Sequence, residues 1–237
     1  NPISSGDLLS GGFDCELLLW EHTNGKRKSH YHLGNSSNSP VGLNPPWIHS
    51  VAYACGGKKV LAGSGDGSLS IHEAGTLIEI GREEAHRGSF TSCIAVPTSA
   101  GTSTCASTSA TEDDNTAAEN LIGRIAFTGG NDGKLHAWKI KESLFVPKAS
   151  KNKKKSKNKS RSTSTGAGAG ADDEEDLLSG GLESLWTLDH GKKVNAVATW
   201  AGASVRGANV TVSSSSNQFT LFVGDTTKNV SVYTYSE

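Results

Sequence analysis

The 237-residue chain contains no methionine, only six prolines and four cysteines, and aromatic side chains make up 6% of it. No stretch approaches the roughly 20 consecutive apolar residues that a membrane-spanning helix needs. Neither charge sign dominates. The formal net charge is −1, which excludes a global electrostatic pull toward nucleic acid or an anionic membrane. Cys15, Cys55, Cys93 and Cys105 show no C-x-x-C spacing. Nothing points to an oxidising compartment, so all four read as free thiols. Cys93 lies in the alternating run FTSCIAVP and is expected to be a small buried residue. The first residues, NPISSGDLLSGG, carry no basic-then-apolar leader pattern. They run into a repeat at its midpoint, so an upstream stretch is expected to complete that repeat.

Glycine is abundant, at 28 residues. Glycine-rich turns between short apolar runs predict an all-β protein. The clearest instance is Ile125 to Trp138, IAFTGGNDGKLHAW. Two strand-forming runs flank Asn-Asp-Gly, whose residues tolerate the positive φ of a tight hairpin turn. The pattern recurs in LLSGGFDCELLLW (Leu8 to Trp20) and VLAGSGDGSLSIH (Val60 to His72). Aligned on the last residue, Asp14, Asp66 and Asp132 share one position, and Ser10, Ala62 and Thr128 share another. A weaker fourth copy, LFVGDTTKNVSVY (Leu221 to Tyr233), has Thr227 at the Asp position and Val223 at the small one. Four copies predict a repeat architecture.

Between the hairpins, alternation predicts inner strands at IHSVAYA (Ile48 to Ala54), FTSCIAV (Phe90 to Val96) and KVNAVATW (Lys193 to Trp200). Outer strands are predicted at Asn24 to His32, Thr76 to Arg82 and Ser184 to Gly191. Two stretches, 98–120 and 147–180, lack the apolar content to pack and are expected to be disordered insertions. Without them the period is roughly 40 to 50 residues with four strands per unit, the signature of propeller blades. The expected units are 1–33, 47–82, 84–146 and 184–237.

These hairpins resemble the WD40 repeat family. Its repeat carries a Gly-His, then a Ser or Thr on an inner strand, an Asp in the next turn and a Trp closing the third strand. In that family the four side chains form a buried hydrogen-bonded chain. The best-matched set here is His86, Thr128, Asp132 and Trp138, with Ala85 in place of the glycine. Ser10, Asp14 and Trp20 match in the first repeat. The second keeps Asp66 but has Ala62 and His72 at the hydroxyl and Trp positions. The fourth keeps Asp189-His190 but has Thr227 and Tyr233 at the Asp and Trp positions. The resemblance implies an all-β WD40 propeller fragment of about three and a half four-stranded blades, part of a propeller of about seven. An open fragment leaves strand edges exposed, so the chain alone is expected to self-associate.

The resemblance also implies protein partners and residence in the cytoplasm or nucleus. Some members dock the adaptor of a cullin-4 ubiquitin ligase through a repeat ending Trp-Asp-x-Arg. Here the endings are Trp138-Lys139-Ile140-Lys141 and Trp20-Glu21-His22-Thr23. Lys141 can stand for the Arg and Glu21 for the Asp, but no single repeat has both.

Other chemistry is weaker. Gly63 to Gly67, GSGDG, lacks the spacing and the following lysine of a phosphate loop. His30 and His32 share a strand face without a third metal ligand nearby in sequence. His86, Asp132 and Thr128 assemble a triad on paper, yet their repeat-locked positions fit a structural network better, and no G-x-S-x-G elbow is present. No catalytic residue, metal or cofactor is therefore expected. Trp47, after Asn-Pro-Pro, is a possible partner contact, whereas Trp186 and Trp200 alternate with apolar neighbours as packing residues do. The basic run 148–161 includes Lys151, Lys153, Lys154, Lys155, Lys157, Lys159 and Arg161. It reads as a solvated loop, a nuclear-import signal or a phosphate-contacting segment. It has no interleaved aromatics to stack on bases.

Overall fold

The computed structural model describes residues 6–35, 44–97, 123–141, 181–201 and 218–236. The insertions expected at 98–120 and 147–180, and with them the basic run, lie outside the described residues. Among the described residues fourteen strands form four antiparallel sheets, and the helical structure is two single 3-10 turns. None of it is long and apolar enough to cross a membrane.

The first sheet comprises β1 (Leu8–Gly11), β2 (Glu16–Trp20) and β3 (Arg27–His32). The second comprises β4 (Ile48–Ala54), β5 (Lys59–Ser64), β6 (Ser68–Glu73) and β7 (Glu79–Glu84). The third comprises β8 (Thr91–Ala95), β9 (Ile125–Gly130), β10 (Lys134–Ile140) and β11 (Leu182–Asp189). The fourth comprises β12 (Val194–Ala201), β13 (Gln218–Asp225) and β14 (Val230–Ser236). In every sheet neighbouring strands are consecutive in sequence.

The third sheet corrects one expected boundary. Sequence order placed 184–189 at the head of the fourth unit. Trp186, Thr187 and Leu188 instead pair with Ala137, His136 and Leu135 of β10. β11 therefore completes the third sheet, and the division falls after Asp189. β9 covers one edge of β10 and β11, which arrives after the long segment 142–180, covers the other.

The core lies between successive sheets. Leu17, Leu19, Ile48, Val60 and Ala62 fill the space between the first and second. Leu61, Leu69, Ile71, Ala126, Trp138 and Ile140 fill that between the second and third. Ile125, Phe127, Ala137, Phe219 and Leu221 join the third to the fourth. This stacking explains the sequence patterns. β2 is buried on alternate residues because one face is covered, whereas β5 and β9 are buried throughout because both faces are. Phe222, Val230 and Val232 of the fourth sheet stay exposed on its other face.

The turns β1–β2, β5–β6, β9–β10 and β13–β14 lie at one end of the sheets, and backbone bonds link the first three to neighbouring segments. Ile48 N donates to Gly12 O, and Gly65 N to Trp47 O. Ala85 N and His86 N both donate to Gly67 O, Asn131 N to Phe90 O, and His190 N to Gly133 O. The first three hairpin turns are thus each tied to the segment leading into the next sheet.

Candidate functional site

Beneath these turns, buried polar chains hold each hairpin. In the third sheet the indole N–H of Trp138 donates to Thr128 Oγ1 at 3.0 Å. Thr128 Oγ1 lies 3.1 Å from His86 Nε2, and His86 Nδ1 lies 3.0 Å from Asp132 Oδ1. An indole can only donate and a carboxylate can only accept. The direction is then fixed: Trp138 donates to Thr128, Thr128 to His86 Nε2, and His86 Nδ1–H to Asp132. His86 and Thr128 are fully buried. Burial lowers the His86 pKa against the opposing pull of Asp132, so the ring is neutral, as the relay requires. The chain His86, Thr128, Asp132 and Trp138 is therefore assembled in space.

The first sheet carries the abbreviated form. Trp20 Nε1 donates to Ser10 Oγ at 2.9 Å, and Asp14 Oδ1 accepts Glu16 N within its turn.

In the second sheet the residues are present but differently wired. Asp66 Oδ1 accepts Ser64 Oγ at 2.6 Å, Ser68 Oγ at 2.8 Å and Ser68 N at 3.0 Å. Its Oδ2 lies 3.5 Å from the buried Arg82 guanidinium, which also grips Glu79 in bidentate fashion. His72, at the Trp position, bonds Ser70 Oγ through Nε2 and faces Leu77 O through Nδ1. With no hydroxyl at Ala62, Ser70 on the adjacent strand supplies it.

Burial lowers the His72 pKa to about 4, against the pull of the Leu77 carbonyl. In the unfolded chain a histidine titrates near 6.5. Between those values the unfolded chain binds more protons, so stability falls as pH drops from about 6.5 to 4. His72 alone contributes a loss on the order of 2–3 kcal/mol across that window. His136, also held at about 4 by burial, is more open to solvent and adds less. Urea unfolding at a series of pH values from 7.5 to 4 is expected to show this loss, and His72→Gln to make it shallower. A flat wild-type profile would refute the buried neutral histidine.

In the fourth sheet the expected alignment holds, but the carboxylate comes from another position. His190 Nε2 lies 3.0 Å from Asp225 Oδ2, and Tyr233 OH lies 2.7 Å from His190 Nδ1. Asp225, not Thr227, is the acidic end of the chain. The two hairpins share one register, with Gly129 opposite Leu135 and Gly224 opposite Val230, so Thr227 does stand at the position of Asp132, and Asp225, two residues earlier at the position of Gly130, supplies the carboxylate instead. Val223 offers no hydroxyl, and the longer reach of tyrosine lets it bond His190 directly. Thr227, through side chain and backbone, holds the Asp225 carboxyl well below the usual range, at about 2, with His190 adding to it.

Above these chains lies a surface feature that sequence order conceals. Phe13, in the β1–β2 turn, is 72% exposed. Its ring meets Trp47 at 5.7 Å and His49 at 5.7 Å, both edge to face, and His49 stacks on Phe90 at 5.4 Å. Trp47 and Phe90 are half-buried and His49 is exposed. The four rings run across the approaches to three sheets. Burial, with Lys193 adding, lowers the His49 pKa, so the strip is uncharged at neutral pH. Of its members only Trp47 was singled out from the sequence. The available signal for Phe13 is a large apolar side chain where a polar turn residue belongs.

Lys141 is half-buried at the opposite end of the third sheet, its N–H donating to Gly181 O. Glu21 accepts the side chains of Thr23 and Asn24 in its own turn. The cysteines Cys15, Cys55 and Cys93 are free thiols, and Cys93 is buried as expected. Neither the scan against protein-family models nor the search of curated proteins finds a match.

Proposed function

We propose that this chain is part of a WD40-type β-propeller and serves as a non-catalytic scaffold for protein partners, with the Phe13–Trp47–His49–Phe90 strip as the docking surface. The observation that carries the reading is Phe13, a large aromatic side chain left 72% exposed at the head of a continuous ring contact. Aromatic anchors dominate protein–protein contacts because they supply much apolar area at little entropic cost. Four successive antiparallel sheets, two of them with a His–Asp pair under the turn, support the propeller reading. Rigid turns suit a surface that must be preformed for binding. The one triad-like set is spent internally, since Thr128 Oγ1 bonds both Trp138 and His86 within the core, which supports a non-catalytic role.

A receptor for the cullin-4 ligase adaptor is the sharper form of the proposal. Its docking residues would be Lys141 and its neighbours at the end opposite the aromatic strip, leaving the strip for the substrate. The second reading rests on the eight basic residues within 148–161, which would contact phosphates of nucleic acid or chromatin.

Affinity purification with mass spectrometry, at low and moderate salt, separates these. Wild type, Phe13→Ala/Trp47→Ala and a deletion of 148–161 are compared. The expected result is a set of proteins retained at moderate salt and reduced at least tenfold by the double substitution, with the adaptor still recovered. Losing the set only on deletion of 148–161, and on raising salt, would transfer the function to the basic run.

A further inference from the structure

We propose that His86, Asp132 and His136 form a binding site for a zinc-type divalent transition-metal ion. Each residue presents a ligating atom within 4.8 Å of the other two. Two imidazole nitrogens and a carboxylate are the donor set that suits zinc and its neighbours in the first transition series.

The observation that points to a ligand is His136. Its Nδ1 is engaged by Thr187 Oγ1 at 2.9 Å, whereas its Nε2 is buried and has no hydrogen-bond partner. A ring that donates Nδ1–H to Thr187 presents an unshared pair at Nε2, the arrangement in which the second nitrogen of a metal-bound histidine is oriented by a neighbour. The rings of His136 and His86 meet edge to face at 4.7 Å. Their cross-sheet placement follows from the register, which sets His136 opposite Thr128, the residue that holds His86.

His86 can supply its ligand without losing a proton. Its Nδ1–H now donates to Asp132. Thr128 can accept as readily as it donates, so the proton can reside on Nε2 and bond Thr128 Oγ1. Nδ1 and Asp132 Oδ1, 3.0 Å apart, then share the ion in place of the hydrogen. Gly130 borders this pair closely, because a Cβ there would lie 2.2 Å from His86 Nδ1 and 2.4 Å from Asp132 Oδ1. The Asp132 side chain is 18% exposed, which leaves a solvent side for a fourth, water ligand. Lys134 is the nearby charge opposing a cation. Both histidines have lowered pKa values from burial and are neutral at pH 7.

The test uses the full chain, stripped with chelator and titrated with cobalt(II) as a spectroscopic probe, then with zinc in competition. The expected result is one equivalent of cobalt giving the intense visible bands of a low-coordinate nitrogen–oxygen site, displaced by zinc. Near-ultraviolet thiolate bands should be absent. His136→Gln, which leaves the Trp138–Thr128–His86–Asp132 chain intact, should weaken cobalt binding at least tenfold without changing the melting temperature of the metal-free protein. His30→Gln/His32→Gln should have no effect. Only the weak spectrum of hydrated cobalt, or equal binding by wild type and His136→Gln, would overturn the proposal. Should His136→Gln not fold, the wild-type spectrum and stoichiometry decide it.

Discussion

Gly67→Ala is expected to destabilise the protein by roughly 3–5 kcal/mol, through backbone strain and forced overpacking together. Gly67 has φ +86, a region that L side chains rarely adopt. A Cβ there would sit 2.1 Å from His86 O and 2.5 Å from Ser89 O. Both are backbone atoms, which cannot rotate aside. Gly67 O also accepts the N–H groups of Ala85 and His86. Pushing this segment away drags His86 from Thr128 and Asp132, so damage in the second sheet passes to the third. Gly88 isolates the clash. Its φ is +68 but nothing lies within 4 Å of its Cβ direction, so Gly88→Ala is expected to cost only about 1 kcal/mol from strain. Chemical denaturation of the two variants side by side checks this. Equal losses would mean that the crowding at Gly67 is relieved by a shift the structure does not anticipate.

Phe127→Ala is the second large effect. Phe127 is fully buried at the interface of the third and fourth sheets. Its ring lies 5.8 Å from Tyr235, 6.1 Å from Trp186 and 6.3 Å from Phe219. Truncating a buried phenylalanine removes its transfer energy and leaves a cavity, a loss of about 3–5 kcal/mol. The location matters as much as the size. Aromatic rings supply much of the contact that holds the fourth sheet to the third, so β13 and β14 should lose hydrogen-exchange protection before β5 and β6 do. Uniform loss across all four sheets would instead indicate that the array unfolds as one cooperative unit.

The strands were legible because local patterns encode them. Ile48 to Ala54 alternates and becomes β4 at those same limits. The glycine-centred turns fall where Asp66-Gly67 and Asp132-Gly133 stand. The hydrogen-bonded chain of the third sheet was legible because three of its members keep fixed offsets within one hairpin. Asp225 was hidden because it stands two residues before the repeated Asp position, at the place Gly130 takes in the third sheet, so the shared offset points to Thr227. Arg82 was hidden for a different reason: its partners Asp66, in the β5–β6 turn, and Leu33, after β3, are distant in sequence, and no local spacing encodes such contacts. The same holds for β11, separated from β10 by the long segment 142–180. The aromatic strip is the extreme case, joining Phe13 to Trp47 and His49 to Phe90. Such contacts arise only once the sheets stack, and a sequence read in windows does not reveal them.

On the proposed function, the aromatic strip, and not the basic run, is the surface a partner covers. Hydrogen exchange of the chain, free and bound to the most abundant protein it retains at moderate salt, tests this directly. Slowed exchange is expected in peptides containing Phe13, Trp47 to His49 and Phe90, with those spanning 148–161 unchanged. Slowing confined to 148–161, with the Phe13 and Trp47 peptides exchanging as in the free chain, would contradict it.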